Sequence, residues 1–184
     1  MAFPNVTIPG IPPAGDCCLW QLHKKAEGER RVKWGTTYAC DTGKTHRGDT
    51  RVVLTLSTAG PPCDQDPDLI PDGSRLEAKG NTIQRVTDRF SHFFGRFIIS
   101  DPAGTILFRG IVELIDRIGT HHEPFGGEEC NEEGHVEGWL VGRGSSALPN
   151  HTIRALIVAR ASLPVEDGSA PVFASIDGAL IKCP

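Results

Sequence analysis

The residues best suited to chemistry lie between Gly119 and Glu137. Imidazole and carboxylate groups are the ligands that Zn, Mn, Ni and Fe prefer, and three of them around one point are enough to bind a metal ion. The spacing matches no established metal motif, and a solvated acidic loop is the competing interpretation. The candidate ligands of a divalent transition metal, in a cupin-like enzyme, are His121, His122, His135 and Glu137.

The same part of the chain also suits acid/base catalysis without any cofactor. A glutamate inside an apolar barrel has a raised pKa, and a histidine can transfer a proton near neutral pH. An arginine can hold a carboxylate or stabilise an enolate. The candidate catalytic residues are Arg109, Glu113, His135 and Glu137, and the candidate substrate-binding residues are Phe97, Phe108 and Trp139. A structural ion pair between Arg109 and Glu113 explains those two residues equally well.

Two strands must lie side by side for these groups to converge. Residues 105–117 and 135–143 both alternate in the manner of β-strands. Asp101-Pro102-Ala103-Gly104 matches the preferences of a type I turn, so 94–100 and 105–117 are predicted to form a hairpin. Both faces of 105–117 are largely apolar, which predicts that protein covers both and that Arg109 and Glu113 are buried.

Further strands are predicted over 30–40, 51–57, 75–86 and 171–182, with glycine bulges in the last two. Residues 150–163 fit either a helix capped by Asn150 or a strand, and their β-branched residues favour the strand. One short helix is predicted after Asp16, because Leu19, Leu22, His23 and Ala26 share a helical face that ends at Gly28.

These elements predict an all-β protein, a single antiparallel β-barrel of about eight strands without a free edge. The length of 184 residues suits one domain, which we place at 16–184. Residues 1–15 (MAFPNVTIPGIPPAG) form an extended proline-rich arm in this interpretation. The apolar residues of the arm predict a homo-oligomer in which it contacts a neighbouring subunit, and a loose tail is the alternative.

The composition indicates which binding partners and which cellular compartment to expect. The net charge of −4 argues against nucleic acid and against an anionic membrane surface. The N-terminus lacks the features of a signal peptide, which predicts a cytoplasmic protein. The six cysteines show no C-x-x-C and are expected to be mainly free thiols, although their even number permits disulfides. Cys17 and Cys18 are not expected to pair with each other.

One pattern resembles a known family. Phe93 to Gly110 reads F-x-G-x-F-x-x-x-D-x-x-G-x-x-x-F-x-G, and EGWLVGRGS follows at 137–145. Over residues 93–163 this resembles the meander of the allene oxide cyclase/dirigent-like β-barrels. The resemblance implies an eight-stranded barrel, often oligomeric, with an apolar cavity that binds or cyclises small hydrophobic molecules. The His/Glu-rich loop and the proline-rich arm depart from the family pattern, so no family catalytic residue is placed here.

The sequence therefore predicts a barrel that binds a small hydrophobic ligand in its interior. Its activity would be that of a cyclase or isomerase of secondary metabolism. A non-catalytic structural or oligomerising barrel is the first alternative. A metal-dependent, cupin-like enzyme that uses the His/Glu cluster is the second.

Overall fold

Eight strands close into one antiparallel barrel in the computed structural model, which describes residues 17–35, 45–59, 68–85, 90–116, 133–162 and 168–183. The strands are β1 (Cys18–Trp34), β2 (Thr45–Thr58), β3 (Arg75–Arg85), β4 (Phe90–Ser100), β5 (Ile106–Asp116), β6 (Glu133–Gly144), β7 (His151–Ser162) and β8 (Gly168–Lys182). Each strand pairs with the next, and β8 pairs with β1. The predicted barrel is thus confirmed. Among the described residues, no helix is present that could cross a membrane.

The short helix predicted after Asp16 is wrong, because this part of the chain belongs to β1. Leu22 and Ala26 are buried, whereas Leu19 and His23 are exposed. Leu22 and Ala26 share a face at helical spacing and also at strand spacing, so the pattern of apolar residues did not separate the two structures. Pairing with β2 and β8 on either side stabilises the strand.

The hairpin between β4 and β5 is confirmed. The Gly104 amide donates to the Asp101 carbonyl at 3.0 Å, and Asp101 Oδ1 accepts from the Thr105 amide at 2.7 Å. Gly104 has a φ of 90°, in the region that favours glycine. The register shifts between Ile99 and Ser100, which marks a bulge.

The predicted glycine bulges are absent, since Gly80 and Gly178 pair in continuous register with both neighbouring strands. Residues 151–162 form a strand, as their β-branched residues predict, and not the alternative helix. Asn150 precedes that strand with a φ of 64°. It therefore lies in a turn and caps no helix.

Apolar side chains fill most of the barrel. Phe97 and Phe108 are 1% and 0% exposed at its centre. Gly142 leaves room for the Phe97 ring: a Cβ there would lie 2.7 Å from Phe97 Cζ and 2.5 Å from the Arg109 carbonyl oxygen. The interior is thus packed core along much of its length.

A disulfide joins Cys17 to Cys183, so free thiols are the wrong expectation for these two residues. Cys17 and Cys18 are not paired with each other, as predicted, and Cys18 is an exposed free thiol. The N-terminal arm and the three cysteines at 40, 63 and 130 lie outside the described residues.

Candidate functional site

The two strands predicted to carry the site do lie side by side. β5 pairs with β6, which places Glu113 opposite Trp139 and Ile115 opposite Glu137. Arg109 lies opposite Arg143 in the same ladder. The geometric assumption behind the predicted cluster is therefore confirmed for these two strands.

The predicted burial of Arg109 and Glu113 is wrong. Both residues point outward, and the side chain of Glu113 is 52% exposed. The inward face of β5 carries Phe108, Val112 and Leu114 instead. The two apolar residues on the outer face of β5 are not covered by any described residue, since Ile111 is 50% and Ile115 44% exposed.

Arg109 and Glu113 do not form the ion pair that was the alternative interpretation. Glu113 Oε1 lies 3.0 Å from His92 Nε2 of β4. A chemical role for Arg109 or Glu113 stays a prediction. Such a role would be played on the outer surface and not toward a ligand inside the barrel.

The other predicted site residues are divided between the two faces. Phe97 and Phe108 are buried inside, whereas Trp139 is 59% exposed on the outside, so these rings do not form one wall. Glu137 is half-buried on the outer face with Trp139. The backbone of His135 pairs with Arg160, and its side chain lies outside the described part of the structure.

The metal alternative rests mainly on residues beyond those the structure describes. His121 and His122 fall outside the described ranges. Among the described side chains, no group of three His, Cys, Asp or Glu could hold a metal ion. The metal site stays a prediction.

A polar cluster that the sequence did not predict lies inside the barrel. Arg30 of β1 is 7% exposed, and its Nη2 donates to Thr82 Oγ1 at 3.0 Å. Thr82 Oγ1 is also 2.7 Å from Thr50 Oγ1, and both threonines are buried. Arg30, Thr50 and Thr82 lie on the adjacent strands β1, β2 and β3. All three side chains point inward, which brings them together inside the barrel.

Arg30 borders a cavity of about 40 Å³ at the end of the barrel where β1, β3, β5 and β7 finish. The other lining residues are all apolar: Val52, Leu54, Phe93, Leu114, Val136, Ile157, Ala159 and Val172. A cation next to an apolar cavity is an arrangement that can bind an anion attached to a hydrocarbon.

The sequence did contain a signal for Arg30. Read with a period of two, Leu22, Lys24, Ala26, Arg30 and Val32 share the inward face of β1. The sequence also fits a helix over the first half of this strand, and a helix does not have the two-residue period. The two charged residues were therefore not recognised as interior.

Lys24 lies inside the barrel toward the opposite end. Its Nζ is 3.2 Å from Thr58 Oγ1 and 3.3 Å from Asp72 Oδ1. Asp72 also accepts hydrogen bonds from the hydroxyl and amide of Thr58, both at 2.7 Å. The Thr58 hydroxyl and the Lys24 ammonium lower the pKa of Asp72 below its usual value. Lys24 thus ties the segment before β3 to β1 and β2.

A larger hollow, of about 830 Å³, lies open on the outer face across β8, β1, β2 and β3. Its cations stand in register, with Arg31 opposite Arg51 and Arg51 opposite Lys79. Glu77 accepts from both Arg51 and Lys79 at 3.0 Å, which lowers the pKa of its carboxyl. The cations are thus largely paired within the sheet.

Comparison of the chain with protein-family models, with curated proteins and with solved structures gave no match in any of the three. The resemblance to the allene oxide cyclase/dirigent-like barrels stays a prediction. The closed antiparallel barrel of eight strands that it implies is present.

Proposed function

We propose that the barrel binds a small amphipathic molecule, with its anionic group against Arg30 and its apolar part against the apolar wall of the same cavity. The observation that carries this proposal is the position of Arg30, a buried cation on the wall of an otherwise apolar cavity. The predicted ligand was hydrophobic. Arg30 adds the requirement for an anionic group.

The energetics favour such a ligand over a neutral one. Attraction between opposite charges is several-fold stronger in a protein interior than in water, because the effective dielectric constant is lower. The planar guanidinium matches a carboxylate in geometry, and Thr82 holds it through the bond to Nη2. Transfer of hydrocarbon onto the apolar wall contributes about 25 cal/mol per Å² of buried area.

The size of the cavity supports placing only the anionic group of the ligand beside Arg30. A volume of about 40 Å³ accommodates a carboxylate group but not a whole metabolite. In this proposal the hydrocarbon part lies against Phe93 and Val136, which line the cavity together with Arg30. The packed centre around Phe97 and Phe108 closes the other side.

Cyclase or isomerase activity is the finer part of the proposal. Arg30 would hold the ligand by its anionic group, and the rearrangement would be one that breaks and forms bonds within the ligand, because none of the described lining residues is a base that could accept a proton. The apolar walls would fix the ligand's conformation. If the wild-type protein rearranges an unsaturated carboxylate and the Arg30→Met variant does not, this part is supported. Ligand recovered unchanged from the wild-type protein contradicts it.

Calorimetric titration with octanoate, octanol and octylamine tests the binding function, because these ligands share a chain and differ in head group. We expect octanoate to bind most tightly, with an affinity at least about tenfold above that of octanol, a difference of about 1.4 kcal/mol. Octylamine should bind most weakly, since its ammonium group meets the Arg30 cation. Equal affinities, or no binding of octanoate, would refute the proposal.

The predicted cytoplasmic location also belongs with the proposals. The disulfide between Cys17 and Cys183 is the observation against it, because disulfides persist mainly in oxidising compartments. Thiol-alkylation of the protein in intact cells, followed by mass spectrometry, distinguishes the cytoplasm from an oxidising compartment. Alkylated Cys17 and Cys183 would support the cytoplasm.

A further inference from the structure

The outer surface of four neighbouring strands is unusually apolar. Seven large apolar side chains are between 36% and 59% exposed there: Phe94, Ile98, Ile111, Ile115, Trp139, Val141 and Val158. We call these seven residues the apolar face. They lie on β4, β5, β6 and β7, on the side of the barrel away from the pairing of β1 with β2.

The strand register places the apolar side chains next to one another and among charged ones. Ile111 lies directly opposite Val141, and Phe94 and Trp139 flank Glu113 on either side. Ile115 and Val158 likewise flank Glu137. Directly opposed side chains on neighbouring strands are about 5 Å apart, so Ile111 and Val141 form the apolar centre of the face. Arg96 and Arg154 lie on either side of this pair.

We propose that the apolar face is the interface between two copies of this chain. The seven side chains are on average slightly less than half exposed. With a total area of roughly 200 Å² for each, together they present roughly 600 Å² of apolar surface. That sum equals the area of the largest apolar patch of a typical monomer, although here charged residues lie between the apolar ones. A standard interface buries about 800 Å² on each partner, about two-thirds of it apolar in homodimers. The apolar face supplies that amount.

Charge at the two ends of the apolar face fits a second copy in one orientation. Arg109 and Arg143 lie opposite each other at one end, Glu113 and Glu137 lie toward the other, and Arg96 and Arg154 lie at the two sides of the face. A two-fold axis that runs across the strands places the arginines of each copy against the glutamates of its partner. The two directly opposed arginines, which repel each other within one chain, then gain carboxylates.

Trp139 is the expected anchor of the interface. It is the most exposed side chain of the apolar face, at 59%, and lies between Glu113 and Leu156 in the ladder. Buried tryptophans are frequent among the residues that dominate interface energetics. Truncation of Trp139 should therefore weaken the dimer more than truncation of any other residue of the face.

Sedimentation velocity between about 1 and 100 μM, a range that brackets transient homodimers, tests the proposal. We expect the wild-type protein to dimerise and Trp139→Ser to raise the dissociation constant at least about 30-fold. Phe173→Ser is the matched control, because Phe173 is a similarly exposed aromatic residue, at 54%, on β8 and outside the apolar face. It should leave the dimer unchanged. A wild-type monomer at 100 μM, or a dimer that Trp139→Ser leaves intact, would overturn the proposal.

A charge exchange tests the orientation of the two copies. One variant carries Arg109→Glu with Arg143→Glu, and the other carries Glu113→Arg with Glu137→Arg. Each alone should be monomeric, and their mixture should form a heterodimer, provided that circular dichroism shows both to be folded. Homodimers of either variant, or no heterodimer in the mixture, would refute this arrangement. A wild-type dimer that is lost when residues 2–15 are deleted would instead place the contact in the arm.

Discussion

Arg30 and Thr82 are joined inside the barrel by a hydrogen bond of 3.0 Å, from Nη2 of the guanidinium to the threonine hydroxyl. The bond crosses from β1 to β3, past Thr50 of β2, whose hydroxyl also lies 2.7 Å from that of Thr82. One hydroxyl on β3 thus serves two buried polar groups. This arrangement fixes the buried guanidinium at the wall of the cavity.

Replacing Thr82 by valine removes that hydroxyl while nearly preserving the side-chain volume. Arg30 and Thr50 then each lose a buried partner, so we expect the free energy of unfolding to fall by about 1–3 kcal/mol. Urea denaturation measures the change. Thr55→Val, at an exposed position of β2, is the control and should stay within about 0.5 kcal/mol of the wild type. Equal effects of the two substitutions would show that the cluster contributes no stability.

Stability should depend on pH through Glu77. The hydrogen bond from Arg51, and then that from Lys79, lower the pKa of Glu77 below its usual 4.5. The folded protein therefore binds this proton less readily than the unfolded chain does. The stabilisation is complete above pH 4.5 and is lost as the pH falls through the lowered, folded-state pKa.

Denaturation by urea at a series of pH values below neutrality tests that dependence. We expect Glu77→Gln to reduce the loss of unfolding free energy below pH 4.5 relative to the wild type. Glu27→Gln, which removes an exposed carboxylate on β1, is the control for the loss of one negative charge. The same profile for wild type and Glu77→Gln would contradict the assignment.

Gly142 should resist substitution because of the Phe97 ring. A Cβ at this position would lie within 2.7 Å of both Phe97 Cζ and the Arg109 carbonyl oxygen, so β5 and β6 would have to separate. We expect Gly142→Ala to cost about 1–3 kcal/mol of unfolding free energy, as overpacking does. Gly35→Ala is the control, since its Cβ would meet only the Arg47 carbonyl oxygen, at 3.6 Å. A thermal melting curve separates the two outcomes, and equal melting temperatures would refute the packing argument.

The disulfide should contribute measurably to stability. It links residues 166 positions apart, and closing so long a loop in the unfolded chain corresponds to about 5 kcal/mol in the chain-entropy description. We expect the Cys17→Ala/Cys183→Ala double variant to lose about 2–5 kcal/mol of unfolding free energy. Cys18→Ala removes an exposed free thiol and should change little. An unchanged double variant would show that the bond does not constrain the unfolded chain.

Local signals predicted much of the fold. The turn at Asp101–Gly104 follows from a short stretch of sequence and is present. The pairing of β5 with β6 was an assumption without a local signal, and it is also present. The first half of β1 was misassigned because Leu22 and Ala26 share a face in a helix and in a strand alike. Only pairing with the distant β2 and β8 decides between these two structures.

The position of the site was harder to predict for a related reason. Both faces of β5 are apolar, so hydrophobicity alone does not distinguish Phe108 and Val112, which point inward, from Ile111 and Ile115, which point outward. The charges of Arg109 and Glu113 are the signal that identifies the face with Ile111 and Ile115 as the outer one. The apolar residues beside them are explained by the proposed contact with a second copy.

The most direct test of the proposed function compares Arg30→Met with Arg31→Met in calorimetric titrations with octanoate. The two arginines are neighbours on β1, but Arg30 is 7% exposed inside the barrel, whereas Arg31 is exposed outside. Methionine keeps much of the side-chain volume and removes only the charged group. We predict that Arg30→Met weakens octanoate binding at least about tenfold, equivalent to 1.4 kcal/mol, while Arg31→Met binds as the wild type does. Unchanged binding by a folded Arg30→Met variant would contradict the account.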